Sequence, residues 1–466
     1  MFRPRTSDVK RVVVSMALVL TMAGFTDSVP SAMSSASSFS SSSSSASSSV
    51  STALSESGPA SASGAAQAGR SWFTSWAQSQ QALATRTLTH QSVRMITHLS
   101  QGGDALRIRV QNTFGRTPLT VDGVTVGRGG EGAAIVGGTV PVTFKGRRAV
   151  TIPPGGEVWS DATRLLTHPQ QNVAVSMFVP GPVVPGQHVT GLRDNYLTPV
   201  NSGDHTDDRS GAPYTETVTS TLLVSAVDVR NPALKGTVVP FGSSVVDGVG
   251  STHCGPGCTE TGTNRRWTDV LARRITDELP PNIRLAVANA GISGTTSSDA
   301  CPRTPGELAG LDGPARLDRD VLALHGVTGV IYYYGTNDLA NGCTAAAILD
   351  SYDTVFRRLR EAGIKVYVTP ITPRASYTDQ NDLDRHAVNT VVRKGSTCSG
   401  ACDGVIDFDQ VLKDPLQPNR VRLDYDTGDG IHANIAGQRA IADYVPLWML
   451  TGRSPAPSAP PRTEVP

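Results

Sequence analysis

Residues 238–248 read VVPFGSSVVDG, and the parsing of this stretch decides the fold of the C-terminal half. Val238, Val239 and Phe241, with Pro240 among them, are a short run of β-formers. They lead into Gly242, Ser243 and Ser244 and then a second turn signal at Asp247-Gly248. A strand that ends in such a turn holds a serine hydroxyl at the rim of a sheet, within reach of a substrate. Ser244 is the candidate nucleophile, with Ser243 as its rival.

Outward from this strand the rhythm is regular. The spacing of Trp267, Val270, Leu271 and Ile275 predicts an amphipathic helix over 265–279. A strand over 284–289, a helix over 314–324 and an apolar strand over 327–334 follow. A helix over 344–362, stopped at Gly363, precedes a strand over 365–369. The pattern closes with a helix over 382–394, a fifth strand over 404–408 and a helix over 433–450. Strands alternating with helices imply right-handed crossovers and a parallel sheet covered on both faces. In such sheets ligands bind beyond the carboxyl ends of the strands.

The region from Ser71 to about Asn231 reads differently. Segments such as 93–98, 105–112, 120–126, 149–152, 173–178 and 219–227 are short, often alternating, and divided by Gly, Pro and Asn. ALRIRVQN places Leu106, Ile108 and Val110 on one face and Arg107, Arg109 and Gln111 on the other. An all-β sandwich is expected over 70–231, as a structural or carbohydrate-contacting module ahead of an α/β domain over 235–452.

The ends are of another kind. Residues 1–33 combine Arg3, Arg5, Lys10 and Arg11 with an apolar run from Val12 to Phe25 and small residues at Ser31 and Ala32, the pattern of a secretory signal peptide. A membrane anchor is the rival reading, but the run is short of the roughly 20 residues a spanning helix needs. A secreted or cell-surface protein, without stable membrane insertion, is therefore expected. Residues 34–69 are almost entirely Ser, Ala and Gly, a flexible linker or stalk, and 453–466 form a Pro-rich tail. The 466-residue chain has a formal net charge of +1, so no global field points to nucleic acid.

All six cysteines, Cys254, Cys258, Cys301, Cys343, Cys398 and Cys402, lie in the C-terminal half, and an even count in an exported chain favours disulfides. Cys254 with Cys258 and Cys398 with Cys402 could each close a small loop, leaving Cys301 with Cys343; this pairing is one choice among several. A metal site is the alternative, though no histidine sits at tight spacing beside a Cys-x-x-Cys pair. Neither metal nor cofactor is expected.

Chemistry-bearing blocks follow successive strands of the α/β part: NAGISG at 289–294, GTND at 335–338 and DGIH at 429–432, the last preceding the final helix. A serine hydroxyl needs a base within hydrogen-bond reach, and a histidine base needs a carboxylate to fix its tautomer. Asp429 and His432, three residues apart, would deliver both from one turn at a helix start. Gly291 would offer an unobstructed N–H, and Asn337 its amide, to a developing oxyanion. His253, near the first block, is the substitute base.

With those blocks in view, the region from about Gly236 to Leu450 resembles the SGNH hydrolases, the GDSL esterase and lipase family. FGSSVVDG, NAGISG, GTND and DGIH match its four blocks. The layout, with Trp72, Trp76 and ALRIRVQNTFG in a β-rich N-terminal part, looks like a secreted bacterial subgroup. The resemblance implies a flavodoxin-like three-layer fold with a five-stranded parallel sheet. By the same likeness Ser244 is nucleophile and first oxyanion donor, Gly291 and Asn337 complete the hole, His432 is the base and Asp429 its orienter. One departure stands out: the family's first block usually carries Gly-Asp-Ser, and here Ser243 occupies the aspartate's place.

The expected activity is hydrolysis of carboxylic esters through an acyl-enzyme, with deacetylation of a polysaccharide as the leading substrate class. Lipids and small esters are the alternatives, as is acyl transfer to an acceptor other than water. A glycan- or surface-binding protein with a weak hydrolase domain is the reading from another class.

Overall fold

The computed structural model describes residues 71–452. The expected signal peptide, the Ser/Ala-rich linker and the Pro-rich tail lie outside the described residues. Among these, no helix is long and apolar enough to cross a membrane.

In the α/β part, apolar β-formers make parallel strands in the order Ala286–Val287, Thr237–Gly242, Val327–Tyr333, Lys365–Val368 and Gly404–Val405. Ala290–Gly291 also pairs with Thr237–Gly242, beyond Ala286–Val287 on the same edge. Alternation sends successive side chains to opposite faces. Val239, Phe241, Val330 and Tyr332 pack on one side with Leu317, Ile348 and Val388. Val238, Ile331 and Tyr333 pack on the other with Trp267, Leu271, Phe408 and Ile441. Helices Ala345–Glu361 and Asp379–Arg393 therefore cover the first face, and Trp267–Glu278 and Ile435–Tyr444 the second.

Where elements differ from the sequence reading, a local cause is visible. The expected strand over 284–289 is broken at 288–289. Its neighbour presents Pro240 there, which has no N–H to continue the ladder. The helix expected over 433–450 divides at Val445-Pro446 into Ile435–Tyr444 and Leu447–Thr451, because a proline cannot continue the bonding. The strand expected over 404–408 stops at Val405. Asp407 instead caps the helix Phe408–Leu412, accepting from the Gln410 N–H. The strand expected over 120–126 splits at Gly123, and that over 219–227 at Leu223, both left-handed at φ +138° and +65°.

The β-rich part contains a four-stranded antiparallel sheet, in the order Trp72–Ala77, Val224–Arg230, Ala105–Gln111 and Glu157–Trp159. A six-stranded sheet centred on Gln91–His98 and Asn172–Val179 faces it. Val93, Met95, Val173 and Val175 from the larger sheet share one core with Leu106, Ile108, Val110 and Val227 from the smaller. A three-stranded sheet of Thr221–Leu222, Gly186–His188 and Ala82–Leu83 lies beside them.

The β-rich and α/β parts belong to one compact unit. The polar face of ALRIRVQ, which would suit solvent, is instead covered. Arg109 is 1% exposed and donates through Nη1 to the Arg319 carbonyl at 2.9 Å. Arg319 also donates to the Gln80 carbonyl and, with Arg316, brackets the buried Asp320 carboxylate at 2.7–3.0 Å. Burial alone would raise the Asp320 pKa, but Arg319 first and Arg316 second hold it at about 2.

The folded-state pKa of Asp320 is thus below its ordinary 3.8, so its contribution to stability is complete above 3.8 and disappears as pH falls through about 2. Asp320→Asn leaves the buried Arg316 and the half-buried Arg319 guanidinium groups short of a partner and is expected to cost about 3–5 kcal/mol at neutral pH. Urea unfolding across pH checks this: the penalty should shrink as pH falls from 3.8 toward 2, and a pH-independent penalty would contradict the assignment.

Candidate active site

The site is built at the carboxyl ends of the central strands, where backbone segments approach closely. A Cβ on Gly242 would lie 2.2 Å from the Tyr333 carbonyl oxygen, so only glycine lets the first strand end beside the third. The chain turns through Ser243 into the short helix Ser244–Asp247, and Gly248, at φ +93°, closes it by donating to the Ser244 carbonyl. Arg316 fixes the strand ends: Nη2 donates to the Gly242 carbonyl at 2.6 Å and Nη1 to the Ala290 carbonyl at 2.8 Å.

Three sequence-selected residues meet in one line. His432 Nε2 lies 2.8 Å from Ser244 Oγ, and His432 Nδ1 lies 2.6 Å from Asp429 Oδ2. Burial would raise the Asp429 pKa, but the hydrogen bonds and charge of His432 lower it, so the carboxylate is ionised at neutral pH. Nδ1–H therefore donates to Asp429, and Nε2 is left to accept the Ser244 hydroxyl hydrogen.

The expectation that Asp429 and His432 share a helical turn is corrected. Helix Ile435–Tyr444 begins only after Asn434, whose side chain caps the Gly437 N–H. Residues 429–432 form a loop in which Asp429 Oδ1 accepts the N–H groups of Ile431 and His432, each at 2.8 Å. This aspartate-centred turn delivers both side chains, with the histidine side chain 16% and the aspartate 44% exposed. Ala375 N–H donates to the Gly430 carbonyl and braces the loop from outside.

Asn337 is the second residue of helix Thr336–Ala340, which starts from Gly335 at φ +105°. Arg374 Nη1 donates to Asn337 Oδ1 at 3.2 Å, while Asn337 Nδ2 donates to the Thr295 carbonyl at 3.0 Å. The guanidinium fixes which way the amide faces and leaves the second Nδ2 hydrogen for another acceptor. Behind it, the buried Asp338 accepts from Ser297 N–H and Oγ and from Ser298 N–H. Burial raises its pKa, against the effect of those bonds.

Gly291 does not fill the role expected of it. Its N–H donates to Asn289 Oδ1 at 2.8 Å, and a Cβ there would lie 2.2 Å from the Asp247 backbone nitrogen. It is the glycine that lets the Ser244 helix pack onto the sheet edge. The strand break opposite Pro240 turns the Asn289 amide toward that helix, where Nδ2 donates to the Val246 carbonyl at 2.6 Å. Gly294, three residues on, is left-handed at φ +85°, and its N–H has no hydrogen-bond partner among the described residues. Its free N–H at the end of the same NAGISG block makes it the donor candidate in place of Gly291.

Ser243 is 1% exposed, and its Oγ has no hydrogen-bond partner among the described residues, His432 included. His253 lies in the small hairpin of His253–Gly255 and Cys258–Thr259, and the histidine bonded to Ser244 is His432. The cysteines form Cys254–Cys258, Cys301–Cys343 and Cys398–Cys402, the pairing anticipated. Cys301–Cys343 ties the loop held by Asp338 to the chain just after the Asn337 helix.

Residues 241–440 match the GDSL-like Lipase/Acylhydrolase family. No curated protein matches the chain. Solved structures similar to it include a carbohydrate acetylesterase from Sinorhizobium meliloti, at 18% identity over 45% of this chain and 95% of that one, with a TM-score of 0.34. The aryl esterase of M. smegmatis shows 20% identity, the same coverages and a TM-score of 0.34. A GDSL-like lipase from Bacteroides thetaiotaomicron shows 16% identity over 47% of this chain and 89% of that one, with a TM-score of 0.32.

The packing role of Gly291 is testable by itself. Gly291→Ala forces the Ser244 helix off the sheet edge and is expected to destabilise by about 1–3 kcal/mol, read as a lowered urea midpoint. An unchanged midpoint would contradict the close approach.

Proposed function

Taking residues 241–440 as a GDSL-like lipase/acylhydrolase domain, we propose that this chain is a secreted serine esterase with Ser244 as nucleophile, His432 as general base and Asp429 as its orienter. The observation that carries the roles is the continuous hydrogen-bonded line from Asp429 Oδ2 through His432 to Ser244 Oγ. Ser244 Oγ attacks the ester carbonyl carbon as His432 Nε2 takes its proton, and Asp429 steadies the imidazolium. Charge on the carbonyl oxygen is met by the N–H groups of Ser244 and Gly294 and the second hydrogen of Asn337 Nδ2. The tetrahedral intermediate collapses with cleavage of the ester C–O bond, His432 protonating the departing alcohol. A water deprotonated by the same imidazole then attacks the acyl-enzyme and releases the acid.

The substrate class we infer is an acylated polysaccharide. The partial exposure of His432 and Asp429 supports a shallow site open to an ester pendant on a polymer. Export is supported by the leader pattern of residues 1–33 and by three disulfides, which persist in oxidising compartments.

Hydrolysis of p-nitrophenyl acetate tests the roles. Ser244→Ala and His432→Ala are expected to lower kcat by ~10⁴–10⁶, and Asp429→Asn by ~10⁴ or less, while Ser243→Ala remains active. Activity that survives in Ser244→Ala, or in His432→Ala, removes the triad. Acid release from acetylated glycans, set against p-nitrophenyl esters of rising chain length, tests the substrate class: preference for long acyl chains favours a lipase.

A further inference from the structure

One side chain of the β-rich part enters the ground beneath the Ser244 turn. His188, at the end of strand Gly186–His188, is 1% exposed. Its Nδ1 lies 2.8 Å from the Ser79 carbonyl oxygen and its Nε2 lies 3.0 Å from Asp247 Oδ1. A carbonyl oxygen only accepts, so Nδ1 carries a hydrogen. Asp247 is wholly buried. Desolvation would raise its pKa, yet the His188 charge and hydrogen bond, with Arg266 and Ser293, hold it below the ordinary range. His188 Nε2 therefore faces an ionised, buried carboxylate at hydrogen-bond distance.

Asp247 connects three pieces of the site. It is the last residue of the Ser244 helix, and its N–H donates to the Ser243 carbonyl. Its Oδ2 accepts the N–H of Ser293 at 3.1 Å and the Ser293 hydroxyl at 2.6 Å, immediately before Gly294. Arg266 Nε donates to its carbonyl, and Arg266 Nη2 continues to the carbonyls of Thr190 and Gly191. Thr190 Oγ1 also lies 3.2 Å from Ser293 Oγ. Segment 188–191 of the β-rich part is thus held against both the nucleophile turn and the Ser293–Gly294 loop.

We infer that His188 is a positioning residue of the esterase site: acting through Asp247, it fixes the Ser293–Gly294 loop relative to Ser244, so the β-rich part completes the catalytic centre. The inference rests on the reading of Ser244 as nucleophile and Gly294 as oxyanion donor. Without the His188 imidazole, Asp247 is a buried carboxylate whose Oδ1 has lost its partner, and its hold on Ser293 loosens. The loss then falls on transition-state stabilisation, because the displaced N–H serves the oxyanion more than the bound ester.

The experiment compares wild type, His188→Ala and His188→Gln in the full chain. Active sites are counted by p-nitrophenol release from a p-nitrophenyl phosphonate, and kcat and KM are measured with p-nitrophenyl acetate. Per titrated site, His188→Ala is expected to lose ~10²–10³ in kcat, the scale of one oxyanion donor, with KM changed by less than about threefold. His188→Gln keeps a donor to Asp247 on a differently shaped side chain that makes no second bond to Ser79, so its kcat should lie between, about tenfold below wild type. Should His188→Ala not fold, the glutamine variant decides by the same criterion. Wild-type kcat per titrated site in either folded variant, or a loss confined to KM, overturns the inference and leaves His188 as interdomain packing. Failure of the esterase reading shows separately, as wild type that neither releases p-nitrophenol in the titration nor turns over the ester, and takes this inference with it.

Discussion

The 2.8 Å contact between His432 Nε2 and Ser244 Oγ joins residues 188 positions apart, and the remaining structure can be understood by what it takes to hold it. Neither partner lies on a long rigid element. Ser244 opens a four-residue helix, and His432 ends an aspartate-centred loop. Their precision is borrowed. Arg316 pins the carbonyls of Gly242 and Ala290, Gly291 admits the Ser244 helix to within backbone contact of the sheet, and Ala375 braces the His432 loop. Close glycine approaches and buried guanidinium donors do here what a continuous helix or strand would do elsewhere.

The β-rich part belongs to the same account. Its first strand bonds the α/β part through Thr74 N–H to the His325 carbonyl, and Arg109 reaches the Arg319 carbonyl. Buried polar groups of this kind are costly unless every partner is present, so the two parts have little freedom to separate without exposing unpaired charges. A module merely tethered to an enzyme would not need such a seam. Its presence fits a β-rich layer that supports the site.

Much of this was legible from residues 235–452. Strand and helix alternation gave the layered α/β arrangement because apolar periodicity is a local property, and Ser244, Asp429, His432 and Asn337 stood out because each sits in a short polar block after a strand. The errors share a cause. A glycine after the second strand promises an unobstructed N–H, which points to Gly291, but the strand breaks opposite Pro240 and the Gly291 N–H is committed to Asn289 Oδ1. Asp247-Gly248 reads as turn punctuation, and the left-handed Gly248 agrees, but burial beneath His188 adds a second role for Asp247 that no local pattern announces. His188 lies 59 residues away, in a region whose strands point to a structural or carbohydrate-contacting module. Ser243 was visible as a departure from the family's aspartate, whereas its buried and unpartnered hydroxyl is a property of the fold.

The central claim is that Ser244, His432, Asn337 and Gly294 converge on one ester carbonyl, and the crystal structure of the protein after inactivation by a p-nitrophenyl phosphonate tests it most directly. The account predicts phosphorus bonded to Ser244 Oγ, with the phosphoryl oxygen at about 3 Å from the N–H of Gly294 and from Asn337 Nδ2. Phosphorus on Ser243, or a phosphoryl oxygen turned away from both donors, would contradict it.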